Sequence, residues 1–391
     1  MINFFIFLII LLAGIAISNF FKTKIAANDI KILKRLWFYH LFFGIFYWSY
    51  ITLGGGGDAD NYWLTASQIN FEQAVQAFFR AGPGTYGLHL LNFGIVKPLG
   101  LSFFALSMVY TLIGHIGIVY FYIFFKNNIP YNTKIGSYYL FPLLFFLPNL
   151  HFWSSGVGKD TLLFLSIALF FYGMQNPLKN LGKLALALGL SYLIRPHITI
   201  FLITSFGLAF VLDGKLKSYQ KILFFGLCLA GFLALFDNIM AYLKLESLDT
   251  ESVSEFTDTR VSNLSRSSTG SSVDISSYPF PLKIFTFLYR PLFFDINGVM
   301  AIVASFENLL LLIISWKFLK LNPIKMFKNG NYLVKGLFIF LVIGAVSFSL
   351  ILSNLGIMLR QKNMFIPALL FICLWGFSYQ KEKQLTKAKL S

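Results

Sequence analysis

Residues 190–203 read LSYLIRPHITIFLI, with Arg195-Pro196-His197 set in the middle of an otherwise apolar run. Pro196 has no backbone N–H to donate, Arg195 is permanently charged, and His197 can take up a proton. A water-soluble protein keeps such a triplet at its surface, yet Leu, Ile, Tyr and Phe flank this one on both sides. The adjoining apolar segments, 183–194 and 197–212, are short. A helix of about a dozen residues rises only ~18 Å, against ~30 Å for the hydrocarbon core of a bilayer. The junction is therefore expected below the membrane surface, at the bottom of a water-filled cavity. Broken helices and charges at membrane depth occur where the backbone lines protein or water.

The rest of the chain supports a membrane setting. Of its 391 residues 57% are hydrophobic and only 12% are charged, about half the charged share of a soluble domain. Apolar runs at 2–21, 36–53, 101–125, 135–152, 160–174, 183–194, 197–212, 222–242, 296–316, 334–353 and 363–379 predict an all-α polytopic integral membrane protein. About eleven transmembrane helices would form a single transmembrane domain over 1–391. The stretch 86–99, interrupted by Lys97 and Pro98, reads as re-entrant or interfacial. The alternating segments of a β-barrel are absent. Residues 1–21 lack a basic n-region and a small-residue cleavage site, so they read as a retained helix rather than a signal peptide. Cys228 and Cys373 both sit in apolar runs and read as buried thiols.

The net charge of +16 would suggest nucleic acid in a soluble chain. In a membrane protein it places the lysine-rich loops in the cytoplasm, and no nucleic-acid partner is expected. Lysines 22, 24, 31, 34, 126, 134, 179, 183, 215, 217, 221, 317, 320, 325, 328, 335, 381, 383, 387 and 389 fall on one face. That face would be cytoplasmic, with the N-terminus outside and the C-terminus inside. Of the seven arginines only Arg35 shares it. Topology is satisfied by lysine, whereas arginine offers a planar five-donor fork for phosphate or carboxylate. The outward arginines therefore point to an anion site.

Five outward-facing stretches accompany Arg195. GGGGDADNYW (54–63) places Asp58 and Asp60 just beyond a helix end, where paired carboxylates suit a general base or a divalent metal. HFWSSGVGKDTLLF (151–164) is not a nucleotide-phosphate loop, because Trp153 stands where the first glycine belongs and Asp160 where a Ser or Thr belongs. It reads instead as a helix start whose serines, free N–H groups and Lys159 suit an anion. The loop 243–280, acidic and then serine-rich, reads as an extracytoplasmic mobile lid. FLYRPLFFD (287–295) repeats the Arg-Pro pair at Arg290, and Glu307 lies inside the following span. NLGIMLRQKNMF (354–365) sets Arg360 and Lys362 before the last span. Arg195, Arg290 and Arg360 would converge on one phosphate-rich ligand, with Asp58, Asp60 or His197 supplying base or metal chemistry.

The chain resembles bacterial polytopic polysaccharide polymerases of the O-antigen and exopolysaccharide type. The resemblance lies in Gly57-Asp58-Ala59-Asp60-Asn61-Tyr62, in the helix opening Ser155-Gly156-Val157-Gly158-Lys159-Asp160, and in the Arg near the last helices. Lys159-Asp160 stands where the exopolysaccharide branch commonly has Arg-Gln. The resemblance implies an enzyme of the bacterial inner membrane that takes oligosaccharide from a polyprenyl-diphosphate carrier on the outer face. Membrane lipids and other glycan-assembly proteins would be its partners. Arg195, Arg290, Arg360, Lys159 and Lys362 would hold the pyrophosphate. Two alternatives stay open: a membrane-embedded monosaccharide transferase using a polyprenyl-phosphate sugar, and a transporter or flippase of lipid-linked or anionic substrate.

Overall fold

The computed structural model describes residues 2–213 and 271–390, with scattered positions between 217 and 233. Cys228, most of the expected span 222–242, and residues 243–270 of the expected lid lie outside the described residues. Helix dominates what is described. The strands are Lys134–Ile135 and Tyr138–Tyr139, an antiparallel pair with Lys134 opposite Tyr139, turned at Gly136 with φ 58°.

Three helices are long and apolar enough to cross a membrane: Phe103–Asn128, Val299–Leu319 and Tyr332–Ile351. The number rises to five if two bent pairs each count as one span. These pairs are Pro148–Ser155 with Lys159–Met174, bent by 111°, and Leu355–Lys362 with Ile366–Lys389, bent by 59°. Ile2–Ser18, Leu181–Ile194 and Pro196–Leu212 are shorter, at 17, 14 and 17 residues. The apolar run 135–152 is not one helix. Pro142 and Pro148 interrupt it, Phe141 adopts an extended ψ of 122°, and the Asn132 side-chain amide holds the Phe141 carbonyl. Hydropathy counts apolar residues, whereas proline and this side-chain bond decide where the helical ladder stops.

The described residues divide into two compact units, Met1–Lys126 with Pro142–Thr199, and Asn127–Phe141 with Ile200–Ser391. In the first, Phe103–Asn128 is buried on most sides, as expected for an element apolar all round. Trp37 fills the space against Gly14 and donates its indole N–H to the Leu11 carbonyl at 3.1 Å. A Cβ at Gly114 would stand 1.9 Å from the Ser154 carbonyl. Only glycine lets the Pro148–Ser155 helix come this close. Three buried histidines, His115, His40 and His151, lie ring beside ring. His151 Nε2 meets the Phe145 carbonyl at 2.6 Å, and His40 Nδ1 meets His151 Nδ1 at 3.0 Å. With neutral rings, His151 must donate to the carbonyl from Nε2, so His40 is the donor between the two rings.

In the second unit an aromatic cluster forms the core. Phe287 stacks on Phe348 at 5.8 Å, and Phe365 contacts both Phe340 and Phe348. Asn331 and Asn354 cap the Tyr332–Ile351 and Leu355–Lys362 helices through their side-chain oxygens, each at 3.1 Å. The segment after residue 270 is pinned: Val273 N–H donates to Ser353 O, and Leu355 N–H to Ser271 O. Along Val299–Leu319, Val299, Phe306 and Ile313 recur every seventh residue and are exposed, while Ala304, Leu311 and Phe318 are buried. One apolar stripe thus packs inward and a second faces out, which suits a helix bordered by lipid.

Candidate functional site

The site is assembled from helix starts in the first unit. The Ala27–Leu53 helix stops at Gly54, and Gly55 and Gly56 take φ values of 87° and 96°. Glycine reaches such angles at little cost. Gly57 opens Asp58–Gln68, Gly84 opens Thr85–Leu99, and Gly158 opens Lys159–Met174. A glycine N-cap has no side chain to bond the first N–H groups, so those donors remain for something else.

Two of these starts meet the Arg-Pro-His junction. Gly84 N–H donates to Leu193 O at 2.8 Å, and a Cβ at Gly87 would lie 2.2 Å from that same carbonyl. The Lys159 ammonium donates to Thr85 Oγ1 at 2.9 Å. One residue on, Asp160 Oδ1 accepts from Arg195 Nη2 at 3.3 Å, with both side chains buried. Arg195 ends Leu181–Ile194, and Pro196 opens the next helix at its first position, where a missing N–H costs nothing. Ser191 Oγ and Thr199 Oγ1 stand 2.7 Å apart and tie the two helices across the junction. Arg195 is therefore buried against a carboxylate four residues past the break at Gly156.

His89 belongs to this group, although it lies in none of the motifs quoted above. It is one turn beyond Thr85, its ring is 5.8 Å from that of Tyr62, and burial lowers its pKa, with the Lys159 charge adding to the effect. Its signal was positional: i+4 from a helix-opening Thr. No motif search would select it.

The other expected residues fall as follows. Asp58 is exposed in the first turn of its helix. Asp60 Oδ1 accepts from Gly57 N–H at 2.6 Å, so this carboxylate caps its own helix. Two residues apart on a helix, Asp58 and Asp60 do not share a face. Among the described residues no group of three or more His, Cys, Asp or Glu is arranged to hold a metal ion. Ser154 and Ser155 end a helix instead of opening one. Their hydroxyls donate to Leu150 O and Phe152 O in that helix, so they do not present donors to an anion as the motif suggested. His197 is half-buried in the first turn of Pro196–Leu212.

Arg290, Arg360 and Lys362 belong to the second unit. Arg290 is held by Asp295 through two bonds, Nε to Oδ2 at 3.0 Å and Nη2 to Oδ1 at 2.5 Å, and its Nη1 donates to Tyr278 Oη at 3.3 Å. These bonds to Asp295 raise the guanidinium above its ordinary pKa. Lys362 is buried and donates to Leu288 O, Arg290 O and Asn308 Oδ1 at 3.3, 3.0 and 2.6 Å. An ammonium has three donors, so these acceptors use them all. Asn308 in turn donates to Pro291 O at 2.8 Å. Lys362 therefore holds the Arg290-Pro291 turn in place, which is a positioning role. Glu307, expected as an isolated carboxylate, is buried within electrostatic reach of Lys362. Arg360 is half-buried on the Leu355–Lys362 helix.

No protein-family model, curated protein or solved structure matches the chain. The chemistry of these groups is therefore the basis for any functional reading. In the first unit two cations, a buried carboxylate, a half-buried imidazole and three glycine-capped helix starts occur together. That set can hold an anion and move one proton.

Proposed function

We propose that the chain is a membrane glycosyltransferase of the polysaccharide-polymerase kind, using a polyprenyl-diphosphate-linked glycan on the outer face of the bacterial inner membrane. The observation that carries this reading is that two cations meet one helix start: Lys159 at its first position bonds Thr85, and Arg195 bonds Asp160, the next residue along. Lys159 and Arg195 would bind the diphosphate and stabilise the charge it gains as it leaves. Asp160 would keep the Arg195 guanidinium oriented. His89, held neutral at pH 7 by its burial, would take the proton from the acceptor hydroxyl. The acceptor oxygen then bonds to the anomeric carbon as the carbon–oxygen bond to the diphosphate breaks. A lipid-linked donor suits a chain that carries no nucleotide-phosphate loop.

The test is the surface glycan profile of a deletion strain complemented with wild type, Arg195→Lys or Lys159→Gln, at matched protein levels in the membrane. A ladder collapsing to one repeat unit supports the proposal. Loss of a single sugar in place of long polymer would favour a monosaccharide transferase. An unchanged ladder with both variants would defeat both enzyme readings.

A further inference from the structure

We propose that a lysine-lined cavity at the ends of the Val299–Leu319 and Ile366–Leu390 helices binds the phosphate headgroup of an anionic glycerophospholipid. The cavity encloses about 800 Å3, and its charged lining consists of Lys320, Lys325, Lys383 and Lys387 against a single carboxylate, Glu382. A neighbouring cavity of about 610 Å3 shares Leu321, Gln380 and Gln384 with it and adds Lys134 and Lys381.

Several observations favour a lipid. None of the four lysines forms an ion pair with a described carboxylate. Four cations gathered around a concave surface with one carboxylate raise the local concentration of anions. Each ammonium can donate three hydrogen bonds, and phosphate oxygens accept them. Two of the lysines rest on aromatic rings. Lys320 Nζ lies 5.5 Å from the centre of Trp316, and Lys383 Nζ lies 4.5 Å from that of Tyr379, which itself stacks on Trp375 at 5.3 Å. Trp and Tyr gather at the level of lipid headgroups. The outward stripe of Val299, Phe306 and Ile313 leads to Trp316, so an acyl chain lying along that helix would bring its headgroup to the cavity. Membrane topology asks only that lysines lie on one face, not that they surround a cavity. Basic pockets between membrane helices are a known way of holding anionic headgroups. A soluble phosphate shares the headgroup's chemistry but would not need the apolar stripe. This site is separate from the residues proposed for glycosyl transfer, so the two proposals fail independently.

The experiment is native mass spectrometry of the purified full-length protein in detergent. The probes are dioleoylphosphatidylglycerol, dioleoylphosphatidylcholine and inorganic pyrophosphate. The variant combines Lys320→Gln, Lys325→Gln, Lys383→Gln and Lys387→Gln. These positions are exposed or half-buried, so the fold is expected to survive, and circular dichroism checks that it does. A control combines Lys22→Gln, Lys24→Gln, Lys31→Gln and Lys34→Gln, a second lysine cluster in the sequence. Phosphatidylglycerol should bind the wild type in preference to phosphatidylcholine. Its affinity should fall by about tenfold or more in the cavity variant and change by less than about twofold in the control. Equal binding by wild type and cavity variant would overturn the proposal, as would an equal loss in the control. Binding of pyrophosphate without any preference for phosphatidylglycerol would overturn the lipid assignment.

Discussion

Replacing Asp160 with alanine removes a carboxylate partner from a cation that water cannot reach easily. The Arg195 and Asp160 side chains are 10% and 7% exposed, with Nη2 and Oδ1 3.3 Å apart. At that separation, two unit charges attract by about 5 kcal/mol at an effective dielectric constant of about 20. Removing both from water offsets most of this gain, so the pair adds little net stability. Removal of one partner is different, because Arg195 cannot shed its charge by losing a proton. The expected cost of Asp160→Ala is about 3–5 kcal/mol. Replacing both partners with apolar groups of similar size, Asp160→Leu with Arg195→Met, should return stability to within about 1–2 kcal/mol of wild type. The assay is unfolding of the purified protein in detergent, followed by tryptophan fluorescence across the four corners of the double-mutant cycle. If the single variants each cost under about 1 kcal/mol, or the double variant costs their sum, the pair is not coupled and the argument for a buried junction fails. A double variant that is stable yet leaves the glycan ladder collapsed would separate the structural contribution of Asp160 and Arg195 from their proposed role with substrate.

Three further outcomes are expected. Gly87→Ala would drive a methyl group into the Leu193 carbonyl and push the Thr85–Leu99 helix away from Lys159. A lowered thermal midpoint and lost activity should follow, whereas Gly94→Ala, where a Cβ meets nothing within 4 Å, should be neutral or slightly stabilising. Lys362→Met leaves three acceptors without a donor and should cost about 2–4 kcal/mol, read by the same unfolding assay, with no rescue by Lys362→Arg. Because burial lowers the native pKa of His89, the unfolded chain takes up a proton near pH 6.5 while the folded one does not. Stability should therefore fall as pH drops below about 6.5. His89→Gln should make that fall shallower, and identical pH profiles for variant and wild type would contradict the buried position of His89.

The membrane character of the chain was legible because it rests on composition alone. Three helices long and apolar enough to cross a membrane, Phe103–Asn128, Val299–Leu319 and Tyr332–Ile351, fall where hydropathy places them. The breaks were legible only in part. Arg195-Pro196 ends and opens helices as proline dictates. By contrast, Ser154 and Ser155 suit a helix start, since serine favours that position, yet they form a helix end. The run 135–152 looks continuous in hydropathy but is divided by Pro142, Pro148 and a bond from Asn132. Asp58 and Asp60 look like a carboxylate pair in the sequence, yet helical rotation separates them and Asp60 caps its own helix.

The sequence by itself determined that this is a helical chain suited to a membrane, and that an arginine sits at a proline break within apolar surroundings. These properties follow from residue type and local spacing. Tertiary structure decided which charges are partnered: Arg195 with Asp160, Lys159 with Thr85, Arg290 with Asp295, and Lys362 with two carbonyls and an amide. It also brought His89 beside Lys159 and closed the lysines near the C-terminus around a cavity. The physical reason is range. Helix formation and membrane partition are sums over neighbouring residues, whereas a buried charge takes its partner from whichever segment packing brings within about 3 Å, and in this chain that segment lies 35 residues away for Arg195 and 74 for Lys159.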